Sequence, residues 1–325
     1  MADEESPQAT QDEEKGPEEK SNDENDEEAS TEEEMPTVFE LLKLKGSEPD
    51  DKDIAAIIDR MFEKTVAKHD VSELYNVAFL MDASALHRVD ADKIYRSLSD
   101  LKSDKPLLLI LSSSGGDIAA AYLIGKLCRE KSGDKFAIAV PRRAKSAATL
   151  ICCGADEIHM GSLSELGPID PQFDQIPALA LKYSIEHLAE LSKRYPAASD
   201  MFANYLSQSL NIEELGYYER VAESATQYAE RLLKSRNVNA TKDRIVKVAR
   251  RLVYQYKDHG FVIDSGESAE IFGDEVIKLE TPEYELANDL FIDFSFIIRI
   301  VSNLFGRQIY VVGTPGNGCK VFSTS

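Results

Sequence analysis

Residues 107–117 read Leu-Leu-Leu-Ile-Leu-Ser-Ser-Ser-Gly-Gly-Asp. Five apolar residues run unbroken between Pro106 and three serines. A run this short, apolar on both faces, has the pattern of a central strand covered from both sides. Gly115 and Gly116 then give the chain freedom to turn, and Asp117 suits a helix N-cap. Ile118 to Lys131 continues as a helix, alanine-rich at its start and cationic at its end. Phe136 to Val140 reads as a second buried strand, stopped by Pro141. Ala147 to Gly154 is apolar and small, a buried helix, and Glu157 to Met160 is a third strand. Strand, helix, strand, helix, strand predicts right-handed βαβ units in a mostly parallel sheet, an α/β fold.

Upstream, Ile54, Ile57, Ile58, Met61 and Thr65 recur at helical spacing over 51–66. Tyr75 to Met81 reads as a strand, and 91–101 as a helix with Ile94, Leu98 and Leu101 on one face. Downstream, a turn-rich segment at 166–172 precedes helical patterns over 178–195, 212–235 and 241–257. Beyond about 274, apolar segments alternate with turns and no element is assigned. The loop Gly313-Thr-Pro-Gly-Asn-Gly318 matches no phosphate-binding pattern.

Charge is unevenly placed. The chain has 325 residues, 58 acidic and 37 basic, for a net charge of −21. Residues 1–36 hold 16 acidic side chains against Lys15 and Lys20, a net of −14, and no aromatic residue. Such a segment buries too little apolar area to offset chain entropy, so an acidic disordered tail is expected. The remaining body, at −7, has no basic excess with which to neutralise phosphates, which argues against nucleic-acid binding. Four cysteines are too few for a disulfide framework, and the adjacent Cys152 and Cys153 read as small buried hydrophobes. The acidic N-terminus resembles neither a secretory signal nor a transit peptide. The most apolar stretch, 290–305, is interrupted by Asp293 and Arg299, so no transmembrane segment is expected. A cytoplasmic location follows as the expectation.

Chemistry concentrates in 107–172. The Gly115-Gly116 pair follows a buried strand and opens a helix, where bare N–H groups can stabilise a developing oxyanion. Ser146 falls between the strand 136–140 and the helix 147–154, at the C-terminal edge of a parallel sheet. The N–H of Ala147 is a second candidate donor. Together these point to acyl transfer by a nucleophilic serine. Each feature also has an ordinary structural reading, as a turn or as a helix cap.

Four strings carry a stronger signal: Leu111-Ser-Ser-Ser-Gly-Gly-Asp-Ile118, Ala144-Lys-Ser-Ala-Ala-Thr-Leu-Ile151, Gly154-Ala-Asp-Glu-Ile-His-Met-Gly161 and Ser164-Glu-Leu-Gly-Pro-Ile-Asp-Pro-Gln172. They resemble the serine dehydrogenase proteinase family, which stands with the ClpP-like and signal-peptide-peptidase-A-like serine peptidases of the ClpP/crotonase superfamily. Weaker similarity runs through Gly216-Tyr-Tyr-Glu-Arg220 and His259-Gly-Phe-Val-Ile263 to about residue 275. The implied organisation is a tail at 1–36, a ClpP/crotonase-like spiral of ββα units at 37–275 and a C-terminal extension of unknown role at 276–325. The resemblance implies peptidase activity on peptide or protein substrates, independent of ATP, and homo-oligomerisation. It needs no cofactor and no metal.

Carried over by position, Ser146 is the nucleophile, and Gly115 or Gly116 with Ala147 forms the oxyanion hole. No histidine occupies the ClpP-type position. His159 sits on a short strand, His187 on a helix, and His259 at what reads as a helix C-terminus beside Gly260, where it would cap. Related signal-peptide-peptidase-like enzymes use lysine, so the expected base is Lys182, with Lys193 and Lys145 as alternatives. Lys182 also pairs with Glu186 at i,i+4, the ordinary pattern of a solvated helix face. Asp170 could orient a base or stabilise the Gly-Pro turn. Two other readings stay open: a catalytically inactive ClpP-like oligomeric scaffold that binds peptides or proteins, and acyl-CoA chemistry of the crotonase kind.

Overall fold

The computed structural model describes residues 40–43, 50–83, 85–99, 101, 104–173, 176–177, 180–209, 212–315 and 320–324. The acidic segment 1–36 and residues 316–319 of the glycine-rich loop lie outside them.

Helix α1 (Asp51–Ala67) starts on a capping box in which Asp50 accepts from the N–H groups of Lys52 and Asp53 while Asp53 accepts from that of Asp50. Strand β1 (Asn76–Ala83), helix α2 (Arg88–Ser99), strand β2 (Leu107–Ser113), helix α3 (Ile118–Glu130) and strand β3 (Phe136–Val140) follow. The short strand β4 (Arg143–Ala144) leads into helix α4 (Ala147–Cys152), then β5 (Glu157–Met160) and β6 (Glu165–Leu166). A small hairpin, β7 (Gln172–Phe173) and β8 (Ile176–Pro177), precedes helices α5 (Ala180–Arg194), α6 (Ser199–Ser209), α7 (Ile212–Lys234) and α8 (Lys242–Arg250). A π-helical turn over Arg251–Gln255 continues α8. The chain closes with α9 (Ser265–Phe272), β9 (Ile277–Leu279), α10 (Pro282–Phe305), β10 (Gln308–Gly313) and β11 (Lys320–Thr324).

These strands form one mixed α/β architecture around a curled, mostly parallel sheet in the order β11-β10-β1-β2-β3-β5-β9. Strands β1, β2, β3, β5 and β9 are parallel, and β10 and β11 add antiparallel at one edge. Strand β4 leaves this row, pairing with the end of β2 at Ser113–Ala144 and with β6. The period-two alternation of a sheet covered on both sides is visible residue by residue. Leu80, Leu109, Leu111, Ile138 and Ile158 face one core with helices α2, α3, α4 and α7. Phe79, Met81, Leu108 and Ile110 face the other, with α1 and α10.

The last fifty residues, set apart by the sequence as an extension, build strands and a helix of this same sheet. β9 extends β5, β10 pairs with β1, and α10 lays Leu286, Leu290, Phe294, Ile297 and Val301 on the second face. The apolar run 290–305 is therefore the buried stripe of a core helix. Its Asp293 accepts a hydrogen bond from the Thr65 hydroxyl of α1. Among the described residues, no helix is long and apolar enough to cross a membrane.

Candidate active site

Ser146 stands between β4 and α4 with φ 51° and ψ −116°. Positive φ at a non-glycine residue costs about 1–3 kcal/mol and persists only where the surroundings impose it. Here they do. The Lys145 N–H is tied to the Ser113 carbonyl, and the first turn of α4 closes from Ala148 N–H to Lys145 O and from Leu150 N–H to Ser146 O. The Ser146 side chain makes no cap hydrogen bond, although the residue occupies the N-cap position. Ser146 lines a pocket of about 490 Å³ together with Gly116, Asp117, Pro171, Gln172, Val221 and His259.

The glycine bend is built into this corner. Gly115 and Gly116 have φ 107° and 139°, open to glycine and strained for other residues. The bend is held by Leu86, whose N–H donates to the Gly115 carbonyl and whose carbonyl accepts from the Asp117 N–H. The Gly115 N–H is taken by the Ser113 hydroxyl at 3.1 Å. The N–H groups of Gly116 and Ala147 have no hydrogen-bond partner among the described residues. Asp117 caps α3 as its sequence position suggests, accepting from the N–H groups of Ala119 and Ala120.

A second wall comes from the 164–171 turn. Buried Thr149 pins it to α4: its hydroxyl lies 2.6 Å from the Ala144 carbonyl and 2.8 Å from that of Gly167, and accepts from the Gly167 N–H at 3.1 Å. The turn in turn holds the segment after α8. Leu166 and Ile263 exchange backbone hydrogen bonds, and the Ile169 N–H donates to the Leu252 carbonyl. That crossing sets Asp170, only 3% exposed, beside His259, with Oδ2 and Nδ1 3.7 Å apart.

The same geometry assigns the lysines. Lys145 is bound, with Nζ 3.0 Å from Glu165 and donating to the Phe261 carbonyl. Lys193 pairs with Glu190 on an exposed helix face. Lys182 is exposed and lines a separate pocket with Glu219, Arg220, Glu223, Arg250 and Tyr254. No lysine is among the described residues that line the pocket of Ser146. Thiol chemistry has no purchase here either: burial pushes Cys128 and Cys153 up to about 12 and Cys152 well above its usual range.

One segment of the chain, which includes this corner, is similar to a known family. Residues 84–194 match the ClpP-like SDH-type serine proteinases. That segment runs from the end of β1 through the glycine bend and Ser146 to α5. Two uncharacterized proteins of Methanocaldococcus jannaschii are similar, one 37% identical over 97 residues (30% of this chain and 34% of that protein), the other 34% identical over 92 residues (28% and 31%). The chain thus spans about a third of the length of these curated relatives. A solved structure of a membrane-bound stomatin-specific protease, a serine-to-alanine variant, aligns with 12% identity and a TM-score of 0.38 over 63% of this chain and 80% of that one.

Within the matched segment, Ser146, Gly115, Gly116 and Ala147 lie together, and Lys182 is not among the residues that line the Ser146 pocket. His259 departs from its sequence reading. The preceding helix ends at Gln255, and His259 lies in a turn closed by hydrogen bonds from Gly260 N–H to Asp258 Oδ1 and from Phe261 N–H to Asp258 O. The available signal was the Asp-x-Gly spacing around His259, a turn signature rather than a helix end.

Proposed function

We propose that this chain is a serine peptidase in which Ser146 is the nucleophile and the N–H groups of Gly116 and Ala147 form the oxyanion hole. The observation that carries the reading is the strained Ser146 turn: the side chain does not cap its helix, and the residue lines a pocket. Gly116 lines that pocket, the Ala147 nitrogen lies against Gly115, and both N–H groups lack other partners among the described residues. Attack by the Ser146 oxygen on a peptide carbonyl would generate negative charge on the carbonyl oxygen, which two fixed N–H groups stabilise without reorganisation. Homo-oligomerisation belongs to the same proposal; the described side chains of α5 and α6 include none that is buried, which leaves two helices for a partner to cover. A fluorophosphonate probe tests the nucleophile at pH 7–9: wild type labels, and Ser146→Ala does not. Equal labelling of the two proteins defeats the assignment.

One observation favours a second reading. The Ser146 hydroxyl makes no hydrogen bond to a base among the described residues, as in a scaffold that keeps the peptide pocket without the chemistry. Titration calorimetry with peptides separates the two: binding to a protein that never labels is the signature of the scaffold.

A further inference from the structure

We infer that His259 is the general base of this site and that Asp170 is its positioning residue, so that Ser146, His259 and Asp170 act as one relay drawn from three separate segments. The inference rests on the peptidase reading above and adds the proton acceptor that reading lacks.

Three observations carry it. His259 and Ser146 line the same pocket. Asp170 faces His259 across 3.7 Å, beyond hydrogen-bond length but within reach of a small closure. Asp170 Oδ1 and His259 Nδ1 are both buried without a hydrogen-bond partner among the described residues. The carboxylate oxygen nearest Nδ1 is Oδ2, and Oδ1 is the unpaired one; buried polar atoms are nearly always paired, and a small rotation of ring or carboxylate would satisfy Nδ1. Catalytic hydrogen bonds are often long in empty sites and tighten on occupation. With the Nδ1 edge of the ring turned to Asp170, the Nε2 edge is the one left for the pocket. Burial fixes the carboxylate more firmly than the imidazole: Asp170 is 3% exposed and the His259 side chain 29%.

The step balances without further reagents. As the Ser146 Oγ–C bond forms, the hydroxyl proton passes to His259 Nε2 and the carbonyl π pair moves to the oxygen held by Gly116 and Ala147. When the tetrahedral adduct collapses, the C–N bond breaks and the same proton goes to the departing amine. Water then repeats the cycle on the acyl-serine, with His259 again accepting and returning one proton. Asp170 holds the proton on Nδ1, which keeps Nε2 free to accept, and offsets the charge of the imidazolium.

The test is the rate of fluorophosphonate labelling of the full chain between pH 5 and 10. Charged groups around His259 are Asp170 on the turn, Asp117 across the pocket, Asp258 on its own loop, and the Lys145–Glu165 pair at Phe261. Wild type is expected to gain rate with rising pH through a single ionisation, whose midpoint is the reference for the variants. His259→Gln is expected to lose about 10²–10⁴-fold while unfolding at the wild-type temperature. Asp170→Asn is expected to lose at least tenfold and to move the midpoint to lower pH, because the imidazolium loses its carboxylate; a purely structural role would leave the midpoint in place. A wild-type profile that rises only in the lysine range overturns the inference without any variant. So does His259→Gln labelling within twofold of wild type, and so does loss confined to Lys182→Met; in both, the peptidase reading survives. If wild type labels no better than Ser146→Ala, both fall together.

Discussion

Gly115 and Ser146 are packed so closely that a Cβ on the glycine would lie 2.8 Å from the Cβ of the serine and 3.1 Å from the Ala147 nitrogen. The glycine bend and the nucleophile turn are thus one unit, and the spacing between them is set by a missing methyl. Gly115→Ala is expected to displace Ser146, lower labelling at least tenfold and cost about 1–3 kcal/mol of stability through its positive φ alone. Urea denaturation and probe labelling check both effects. A variant of wild-type activity would show that the corner has slack that the geometry denies.

Thr149 has no place in the chemistry, yet it holds the site in shape. Thr149→Val keeps the volume and removes the acceptor of the buried Gly167 N–H, which is expected to cost about 1–3 kcal/mol. Thr149→Ser keeps the hydroxyl and gives up one methyl, about 0.8 kcal/mol. Chemical denaturation of the pair separates hydrogen bonding from packing. A loss confined to Thr149→Ser would mean that the methyl matters and the hydroxyl does not.

Local signals explain what the sequence made legible. The β2 run and the Asp117 cap each depend on neighbours within a few residues, and each stands in the structure as read; the short strand β4 before Ser146 is absent from that reading. Lys182 and Glu186 carry the spacing of a solvated helix face, and both side chains are exposed. The approach of His259 to Asp170 is different. It follows from the Leu166–Ile263 pairing and the Ile169-to-Leu252 hydrogen bond, contacts between segments more than 80 residues apart that leave no local pattern. The same holds for β10, whose partner β1 lies at the other end of the chain. Its short apolar run carries no assignment until the sheet order is known.

Glu157 gives the fold a specific acid limb. The His159 imidazole 3.5 Å away, then the Lys135 ammonium, outweigh burial and bring its carboxyl from 4.5 down to about 2. A carboxyl lowered in the folded state stabilises above its unfolded value and loses that contribution as pH falls through the folded one. Glu157→Gln is therefore expected to be less stable than wild type at pH 6, with the gap closing between about 4.5 and 2. Urea midpoints at stepped pH measure it. A gap constant across that window would assign the loss to packing.

Cutting the chain after residue 275 removes β9, α10, β10 and β11 and bares one face of the sheet. Leu286, Leu290, Phe294, Ile297 and Val301 are fully buried on that face, and each contributes about 1.5–3 kcal/mol. Their combined loss is comparable with the whole net stability of a domain, about 5–15 kcal/mol. The truncated protein is expected to be insoluble or to lack a cooperative thermal transition. A soluble, cooperatively unfolding 1–275 fragment would make the C-terminal segment a true appendage.

Lys145 joins the nucleophile turn to the loop of His259, since its ammonium reaches both Glu165 and the Phe261 carbonyl. A tether and a base fail differently when removed. As a tether, Lys145→Gln loosens the 258–263 loop, so labelling is expected to fall about tenfold with an unchanged pH midpoint, and Lys145→Arg, which keeps a charged donor, regains part of the rate. As a base, its loss would remove the proton acceptor itself: the rate would collapse by about 10²–10⁴-fold, and a guanidinium, which stays protonated, would rescue nothing. Lys145 is already committed to Glu165 and to the Phe261 carbonyl, and it would have to give up both contacts to reach the serine proton. The rate and pH midpoint of these two variants, measured against His259→Gln, therefore decide whether position 145 holds the site together or runs it.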